Sequence, residues 1–295
     1  MSKGIISSVT ASALFAVMYF YTSLLTPLSG EEVFGWRMLL TLPCVTLFML
    51  VSRDFSLAIG LLRRIREKPL LLLGAIGTSS LMGVQLWLFL WAPLHGRSLE
   101  VSLGYFLLPL TMVLTGRLVY GERLSYLQTV AVCCAMVGVG HELYQHGSFA
   151  WETLLVASGY PLYFVLRRKC RTDHLGGLWV DMCLMMPVAL AFVLAGPASG
   201  SDLQEHPALY WLIPGLGMIS ALALISYVLA SRLLAFSLFG LLSYVEPVLL
   251  VGVALLLGES IGPDQWFTYL PIWLAVVVLI LEGFKHLLRQ RRRSV

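Results

Sequence analysis

Charged side chains are scarce in this sequence. They make up 12% of the 295 residues, while hydrophobic residues make up 58%, and globular domains usually carry about 25% charged residues. A helix needs about 20 apolar residues to cross the hydrocarbon core of a bilayer, and stretches of that length follow one another along the chain. The scarcity of charge argues against a soluble globular protein and predicts an all-α membrane protein.

Hydropathy predicts ten transmembrane helices. They lie at about 4–25, 33–51, 69–91, 99–120, 125–143, 149–167, 175–196, 208–230, 234–257 and 265–285. The connections between them are short, and the longest, at about 52–68, is basic.

Motifs of common enzymes are also missing. The sequence has no P-loop lysine and no Gly-x-Ser-x-Gly turn. His141 and His146 are one residue too far apart for the HExxH zinc motif, so they do not share a helix face. The five cysteines lack metal-ligand spacing and indicate no disulfide framework. We therefore expect no enzyme, no cofactor and no metal site.

Basic residues fall on one side of the predicted bundle. They precede the first span, follow the second, sixth and eighth, flank the end of the fourth and close the chain, and only Arg37 and Arg97 are left for the other side. Since cytoplasmic loops are enriched in Lys and Arg, both termini are predicted to face the cytoplasm. This distribution leaves no clustered face for nucleic acid, so the net charge of +4 is interpreted as a topology signal.

Two segments of the chain share an order of residues. Leu103–Pro109 reads LGYFLLP and Leu241–Pro247 reads LLSYVEP, and each is followed by an apolar run that ends in Gly-Glu, at Gly121–Glu122 and Gly258–Glu259. Only the second copy contains an acid before its proline.

A second pair of segments, Arg37–Pro43 (RMLLTLP) and Asp181–Pro187 (DMCLMMP), shares Met, Leu and Pro. Five helices per half is an odd number, so the halves are predicted to insert with opposite orientation. This gives two inverted five-helix repeats at 1–143 and 149–285, followed by a basic cytoplasmic tail at 286–295. Inverted repeats with a binding site near the membrane midplane are typical of secondary transporters.

The fourth span and the span ends carry a recognisable pattern. It consists of the run Ser98-Leu-Glu-Val-Ser-Leu-Gly-Tyr-Phe, then Pro109, Gly121-Glu122-Arg123, Arg167-Arg168-Lys169 and Gly258-Glu259. This pattern resembles the RarD-like branch of the drug/metabolite transporter superfamily, whose members are EamA-type transporters with ten helices. The resemblance covers nearly the whole chain and implies an inner-membrane transporter of a small metabolite that works by alternating access. The chain departs from the pattern at Gln85, Leu108 and Glu246, where a substrate would be held.

Glu246 is the strongest candidate for a functional site. A carboxylate near the middle of a span costs about 2.5–3.5 kcal/mol, so it is normally paired, protonated or directed into a cavity. Burial favours the neutral acid, which a proton-coupling group requires, and Pro247 removes one helical hydrogen bond and frees a carbonyl oxygen. The alternative is a structural acid that is hydrogen-bonded to a neighbouring helix.

Other residues are weaker candidates. Arg37 is suited to attract an anionic group and Asp181 to pair with a basic residue, and the alternative for both is an anchor that extends to the membrane surface. Four further residues either bind substrate or serve packing: Tyr105, Tyr244, Gln85 and Glu100. Points of helix bending are predicted at Gly104, Pro109, Gly240 and Pro247.

The sequence therefore predicts a secondary active transporter that exports a small metabolite, such as an amino acid or an amphipathic amine derivative. Its expected partners are the substrate, the lipid bilayer and protons, which serve as the coupling ion because no ATP site is present. Two alternatives stay open: a membrane-embedded enzyme that acts on a lipid or peptide, and a passive channel.

Overall fold

The computed structural model describes residues 2–25, 27–94, 98–146, 150–196, 206–256, 266–268, 270–275, 277–278 and 281, and within these ranges it is helical and contains no strand. The α-helices are Ser2–Thr22 (α1), Gly30–Val51 (α2), Phe55–Glu67 (α3), Leu70–Leu94 (α4), Ser98–Tyr120 (α5), Tyr126–His146 (α6), Trp151–Cys170 (α7), Leu175–Ala195 (α8), Leu209–Leu233 (α9), Phe236–Leu242 (α10) and Val245–Leu256 (α11). The described residues of the predicted tenth span are helical as well.

The all-α membrane class is confirmed. Six of the described helices are long and apolar enough to cross a membrane, and two shorter apolar segments lie at Gly104–Tyr120 and Phe236–Leu249. Helices α1, α2 and α4–α9 match the first eight predicted spans to within a few residues at each end. Polar caps set some of these ends: Ser29 and Glu32 bond each other's backbone amides and begin α2.

The basic connection after α2 is not an open loop. Residues Phe55–Glu67 form α3, which buries Ala58 and Leu61. The ring of Phe55 packs edge-on against Trp179 of α8, with ring centroids 5.5 Å apart. Hydropathy alone missed this helix because its arginines lower the average, although its apolar residues recur at the three- and four-residue spacing of an amphipathic helix.

The predicted ninth span is not one continuous helix. It is divided into α10 and α11, with Ser243 and Tyr244 between them. Pro247 has no N–H to bond the carbonyl oxygen of Ser243, and that oxygen instead accepts a hydrogen bond from the Glu246 amide at 3.3 Å. Glu246 and Pro247 thus lie in the first turn of α11, where a proline is tolerated, and not in the middle of a helix.

The chain divides into two compact units. The first unit comprises Met1–Ala13, Leu99–Pro161 and Ala230–Val295, and the second unit comprises Leu14–Ser98 and Leu162–Leu229. Each unit takes segments from both halves of the sequence, so the compact units do not coincide with the predicted repeats. The repeats themselves stay a prediction.

Each unit has its own apolar core. In the first unit, α5, α6, α10 and α11 pack around residues that include Phe106 and Tyr244. In the second unit, α1, α2 and α9 pack around residues that include Leu216. Helix α2 also approaches α8 closely at Gly35, where a side chain would overlap the carbonyl oxygen of Ala189. These helix contacts hold the polar groups described next.

Candidate functional site

A buried acid lies on α8, in the second unit. Asp181 is 2% exposed, and both of its carboxylate oxygens accept hydrogen bonds from hydroxyl groups. The Thr78 hydroxyl on α4 donates to Oδ1 at 2.5 Å, and the Tyr163 hydroxyl on α7 donates to Oδ2 at 3.3 Å. Three helices therefore meet at this carboxylate.

The charge that faces Asp181 belongs to Arg167, which is 1% exposed. Its Nη1 lies 3.8 Å from Asp181 Oδ2 and donates to the Tyr163 hydroxyl, so the tyrosine connects the arginine to the acid. Its Nε and Nη2 donate to the Thr172 carbonyl oxygen at 3.0 and 2.6 Å, and Nη2 also donates to the His174 carbonyl oxygen at 2.7 Å. A buried charge pair is stable when its other polar groups are hydrogen-bonded, and these contacts meet that condition.

The start of α8 makes room for the arginine. A side chain at Gly177 would overlap the carbonyl oxygen of Thr172 and would lie 2.8 Å from Arg167 Nη2. The His174 ring caps the helix by accepting a hydrogen bond from the Gly177 amide at 3.3 Å. Asp181 therefore faces a basic residue, which is one of the two alternatives that the sequence left open. Sequence reasoning missed the partner, because by position alone Arg167 counts only as a topology signal.

Arg37 is aligned with Asp181 in the predicted repeat, and it is also buried. Its Nε donates to the Ser220 hydroxyl of α9 at 2.9 Å, so its side chain is held against a neighbouring helix. The aligned residues have related neighbours: Arg37 of the second span contacts the eighth span, and Asp181 of the seventh span contacts the third. An inverted repeat would produce this correspondence, and the repeat itself stays a prediction.

A cavity of about 320 Å³ lies between α2, α4 and α8. Ser79 connects it to the acid, because this residue lines the cavity and its hydroxyl donates to the backbone oxygen of Asp181 at 2.9 Å. The walls are mostly apolar and include the rings of Phe34, Trp87 and Phe192. The cavity therefore suits an apolar or aromatic group. The sequence did not predict it, since its lining is as apolar as the rest of the spans.

The other candidate acid lies in the first unit. Glu246 is half-buried in the first turn of α11, directly after the helix break, where the positive end of the helix dipole stabilises a carboxylate. Before the break, Tyr244 is fully buried and its hydroxyl donates to the Phe106 carbonyl oxygen at 3.0 Å. Tyr244 is thus a packed core residue. Phe106 and Tyr244 are aligned positions of the two predicted repeats.

The remaining predicted site residues are Tyr105, Gln85 and Glu100. The Tyr105 ring packs on Tyr160 of α7 with centroids 6.3 Å apart, and Gln85 is buried in α4. The side chain of Glu100 lies outside the described residues. Within the part of the chain that the structure describes, no three His, Cys, Asp or Glu side chains are placed to hold a metal ion, and the five cysteines are free.

Two of the four predicted bending points are places of close packing. Pro109 lies inside α5. A side chain at Gly104 would meet Val156 of α7, and a side chain at Gly240 of α10 would meet Met112 of α5. These two glycines allow helices to approach each other, and their role as hinges stays a prediction.

The Gly-Glu pair that ends the first repeated segment has a structural role. Gly121 ends α5 with a φ of 63°, a left-handed conformation that favours glycine. The Glu122 carboxylate then accepts hydrogen bonds from the amides of Phe236 and Ser237, each at 2.7 Å. These amides open α10 and have no acceptor within their own helix. The repeat drew attention to Glu122, but nothing in the sequence pointed to this contact.

Comparison with known proteins finds relatives of full length. The chain is 44% identical over 294 residues to the chloramphenicol-sensitive protein RarD of Pseudomonas aeruginosa, and the match covers 99% of this chain and 98% of the relative. It is 38% identical to an uncharacterized transporter of Pasteurella multocida, over 99% of both chains. It is 26% identical to the protein RarD of Escherichia coli, over 99% of this chain and 97% of the relative. No family model matches the sequence.

A solved crystal structure of a protein also resembles this chain. Its TM-score is 0.67 at 18% identity, and the match covers 97% of this chain and 99% of the other. At that identity the likeness concerns the fold alone, and it shows that the helical arrangement occurs in a known protein.

Proposed function

This chain belongs to the RarD-like family of membrane transporters, and we propose that it is a secondary active transporter that exports a small metabolite across the inner membrane. The substrate is an amino acid or an amphipathic amine derivative. Transport proceeds by alternating access and is driven by proton exchange. Both chain ends face the cytoplasm, in agreement with the distribution of basic residues.

The position of Glu246 is the observation that carries the proposal. Secondary transporters bind substrates and ions at discontinuous helices, where helix ends and main-chain groups can contact a ligand. Ionisable residues within spans are candidates for function because they are costly to keep there. Glu246 combines both features, since it is half-buried and lies in the first turn after a break in its span.

A single carboxylate couples an amine to a proton by competition. When a cytoplasmic ammonium group binds the Glu246 carboxylate, the proton held there is released to the cytoplasm. After the site opens to the other side, a proton from outside neutralises the carboxylate and the amine leaves. Each cycle therefore exports one amine and imports one proton, and the carboxylate is neutralised in both transported forms, which lowers the cost of moving it within the membrane.

Counterflow in proteoliposomes tests the proposal. Vesicles that contain the protein are loaded with an unlabelled amino acid or amine and are diluted into a trace of the labelled compound. We expect transient and saturable accumulation of label, which vesicles without protein do not show. Label that only equilibrates, without saturation, would indicate a passive channel, and conversion of the compound would indicate an enzyme. Either of these results contradicts a carrier.

The direction of the pH gradient tests the coupling separately. We expect an inward proton gradient to increase export of the compound identified by counterflow, and a reversed gradient to decrease it. Equal rates under both gradients would contradict proton exchange and would leave a uniporter.

A further inference from the structure

Helix α3 has a second face that the packing of the second unit leaves uncovered. Its buried face packs on α8 and α4. Ile59 and Leu62 lie away from that face and are 51% and 47% exposed. Arg63 and Arg66 are exposed as well, and Arg66 follows Ile59 and Leu62 at the spacing of one helix face. One surface of α3 therefore carries two apolar side chains next to two guanidinium groups.

The neighbours of α3 in the chain set its depth in the membrane. Two apolar spans flank it: α2 ends at Val51, α4 begins at Leu70, and only a few residues join each of them to α3. Val51 and Leu70 are themselves exposed. Helix α3 therefore lies where two spans leave the hydrocarbon. An amphipathic helix at that depth places its apolar side chains among acyl chains and its basic side chains among headgroups.

A second basic segment lies beside α3. Arg64 Nη2 donates to the carbonyl oxygen of Cys170 at 2.9 Å, and Nη1 donates to that of Arg171 at 3.1 Å, which attaches α3 to the end of α7. Exposed Lys169 and Arg171 follow at that end. Glu67 is the one acid within α3, so positive charge predominates where the two segments meet. Negative charge on a partner would complement it.

We propose that the surface formed by Ile59, Leu62, Arg63 and Arg66, called the α3 surface below, binds an anionic phospholipid. The guanidinium groups bind the headgroup phosphate, for which their planar arrangement of donors is suited. The apolar side chains contact the upper part of the acyl chains. Phosphatidylcholine carries a cationic group beside its phosphate, so the α3 surface prefers phosphatidylglycerol. This site is separate from Glu246 and does not depend on the transported substrate.

Thermal unfolding of the purified full-length protein in a neutral detergent tests this site. Phosphatidylglycerol or phosphatidylcholine is added in increasing amounts, and Tm is followed. We expect phosphatidylglycerol to raise Tm at lower concentration than phosphatidylcholine. The double variant Arg63→Gln, Arg66→Gln should need roughly 30-fold more phosphatidylglycerol for the half-maximal shift, because each basic residue near an anionic lipid surface contributes about fivefold in affinity. Without added lipid its Tm should equal that of the wild type.

Arg64→Gln is the matched control, because Arg64 lies on the same helix but bonds protein carbonyl groups. It should lower Tm with and without lipid and leave the half-maximal phosphatidylglycerol concentration unchanged. Inorganic phosphate at the same concentration should not shift Tm. The proposal is overturned if the double variant responds like the wild type, if both lipids act equally, or if inorganic phosphate reproduces the shift.

Discussion

Two acids within apolar helices have different surroundings in this protein. In the second unit, the Asp181 carboxylate accepts bonds from two hydroxyl groups and has Arg167 3.8 Å away. In the first unit, Glu246 is half-buried and follows a break in its span. Removing a carboxylate from water is costly unless the protein supplies polar partners. In the second unit the described partners come from three helices. In the first unit the acid lies in the first turn of a helix, where the helix dipole favours a carboxylate.

The different surroundings of Asp181 and Glu246 indicate different roles for the two acids. The network around Asp181 fixes α4, α7 and α8, and Arg167 also holds the turn between α7 and α8. A change of charge at Asp181 would disturb all of these contacts. Glu246 lies where the regular backbone bonding of a span is already interrupted, which is where a ligand can contact main-chain groups. We therefore propose that Asp181 serves the stability of the fold and Glu246 serves transport.

The largest effect is expected from breaking the charge pair of the second unit. Arg167→Met should lower the free energy of unfolding by about 3–5 kcal/mol, because it leaves Asp181 buried without its positive partner. Thermal unfolding in detergent measures this effect. Lys169→Met is the control on the same helix, since Lys169 is exposed, and it should change stability by less than about 0.5 kcal/mol.

A second variant keeps this prediction testable if Arg167→Met does not fold. Arg167→Met combined with Asp181→Leu removes both charges and should recover the part of the lost stability that comes from the unpaired acid. The part that comes from the bonds of Arg167 to the Thr172 and His174 carbonyl oxygens stays lost. Equal effects of Arg167→Met and Lys169→Met, or no recovery in the double variant, would contradict the structural assignment of Asp181.

Glu122, an acid of the first unit, has a structural role, as we propose for Asp181 in the second unit, so the role of an acid does not follow from the unit that contains it. Glu122→Ala should lower the free energy of unfolding by about 2 kcal/mol, since it removes a charged acceptor from the amides of Phe236 and Ser237. Glu67→Ala, at an exposed position of α3, is the control and should have little effect on Tm. Similar Tm values for the two variants would argue against the capping role.

The smallest of these effects is expected at the hydroxyl that joins Arg167 to Asp181. Tyr163→Phe keeps the ring and removes two hydrogen bonds to charged groups. We expect the free energy of unfolding to fall by about 1.5 kcal/mol, at the low end for such bonds, because Arg167 Nη1 and Asp181 Oδ2 lie 3.8 Å apart and can bond directly once the hydroxyl is gone. Tyr210→Phe, at an exposed tyrosine of the same unit, should leave Tm unchanged. A Tyr163→Phe protein as stable as the wild type would show that the arginine and the acid do not need the connecting hydroxyl.

The sequence was sufficient to predict those helices that depend on local composition alone. The apolar runs predicted eight helices to within a few residues, because an apolar run of about 20 residues favours a helix in a bilayer. Hydropathy did not predict helix α3, because the spacing of its apolar residues indicates a helix and their average hydropathy does not. The sequence did not predict the break before Glu246, because a proline is compatible with either a kink or a new helix start.

Contacts between distant parts of the chain could not be predicted from the sequence. Asp181 was a candidate, but nothing in its neighbourhood shows that Arg167 and Thr78 face it from two other helices. The same holds for Glu122 and the start of α10. The pairing of helices depends on how they pack. Small residues such as Gly177 and Gly240 influence it, because they leave space for a neighbouring segment to approach.

Proton movement in proteoliposomes compares the two acids most directly. Wild type, Glu246→Gln and Asp181→Asn are reconstituted in equal amounts of folded protein, and internal pH is followed after addition of the compound identified by counterflow. We expect substrate-dependent proton movement for the wild type and for folded Asp181→Asn, and none for Glu246→Gln, whose Tm should match the wild type. Proton movement that persists in Glu246→Gln and disappears in folded Asp181→Asn would contradict this expectation.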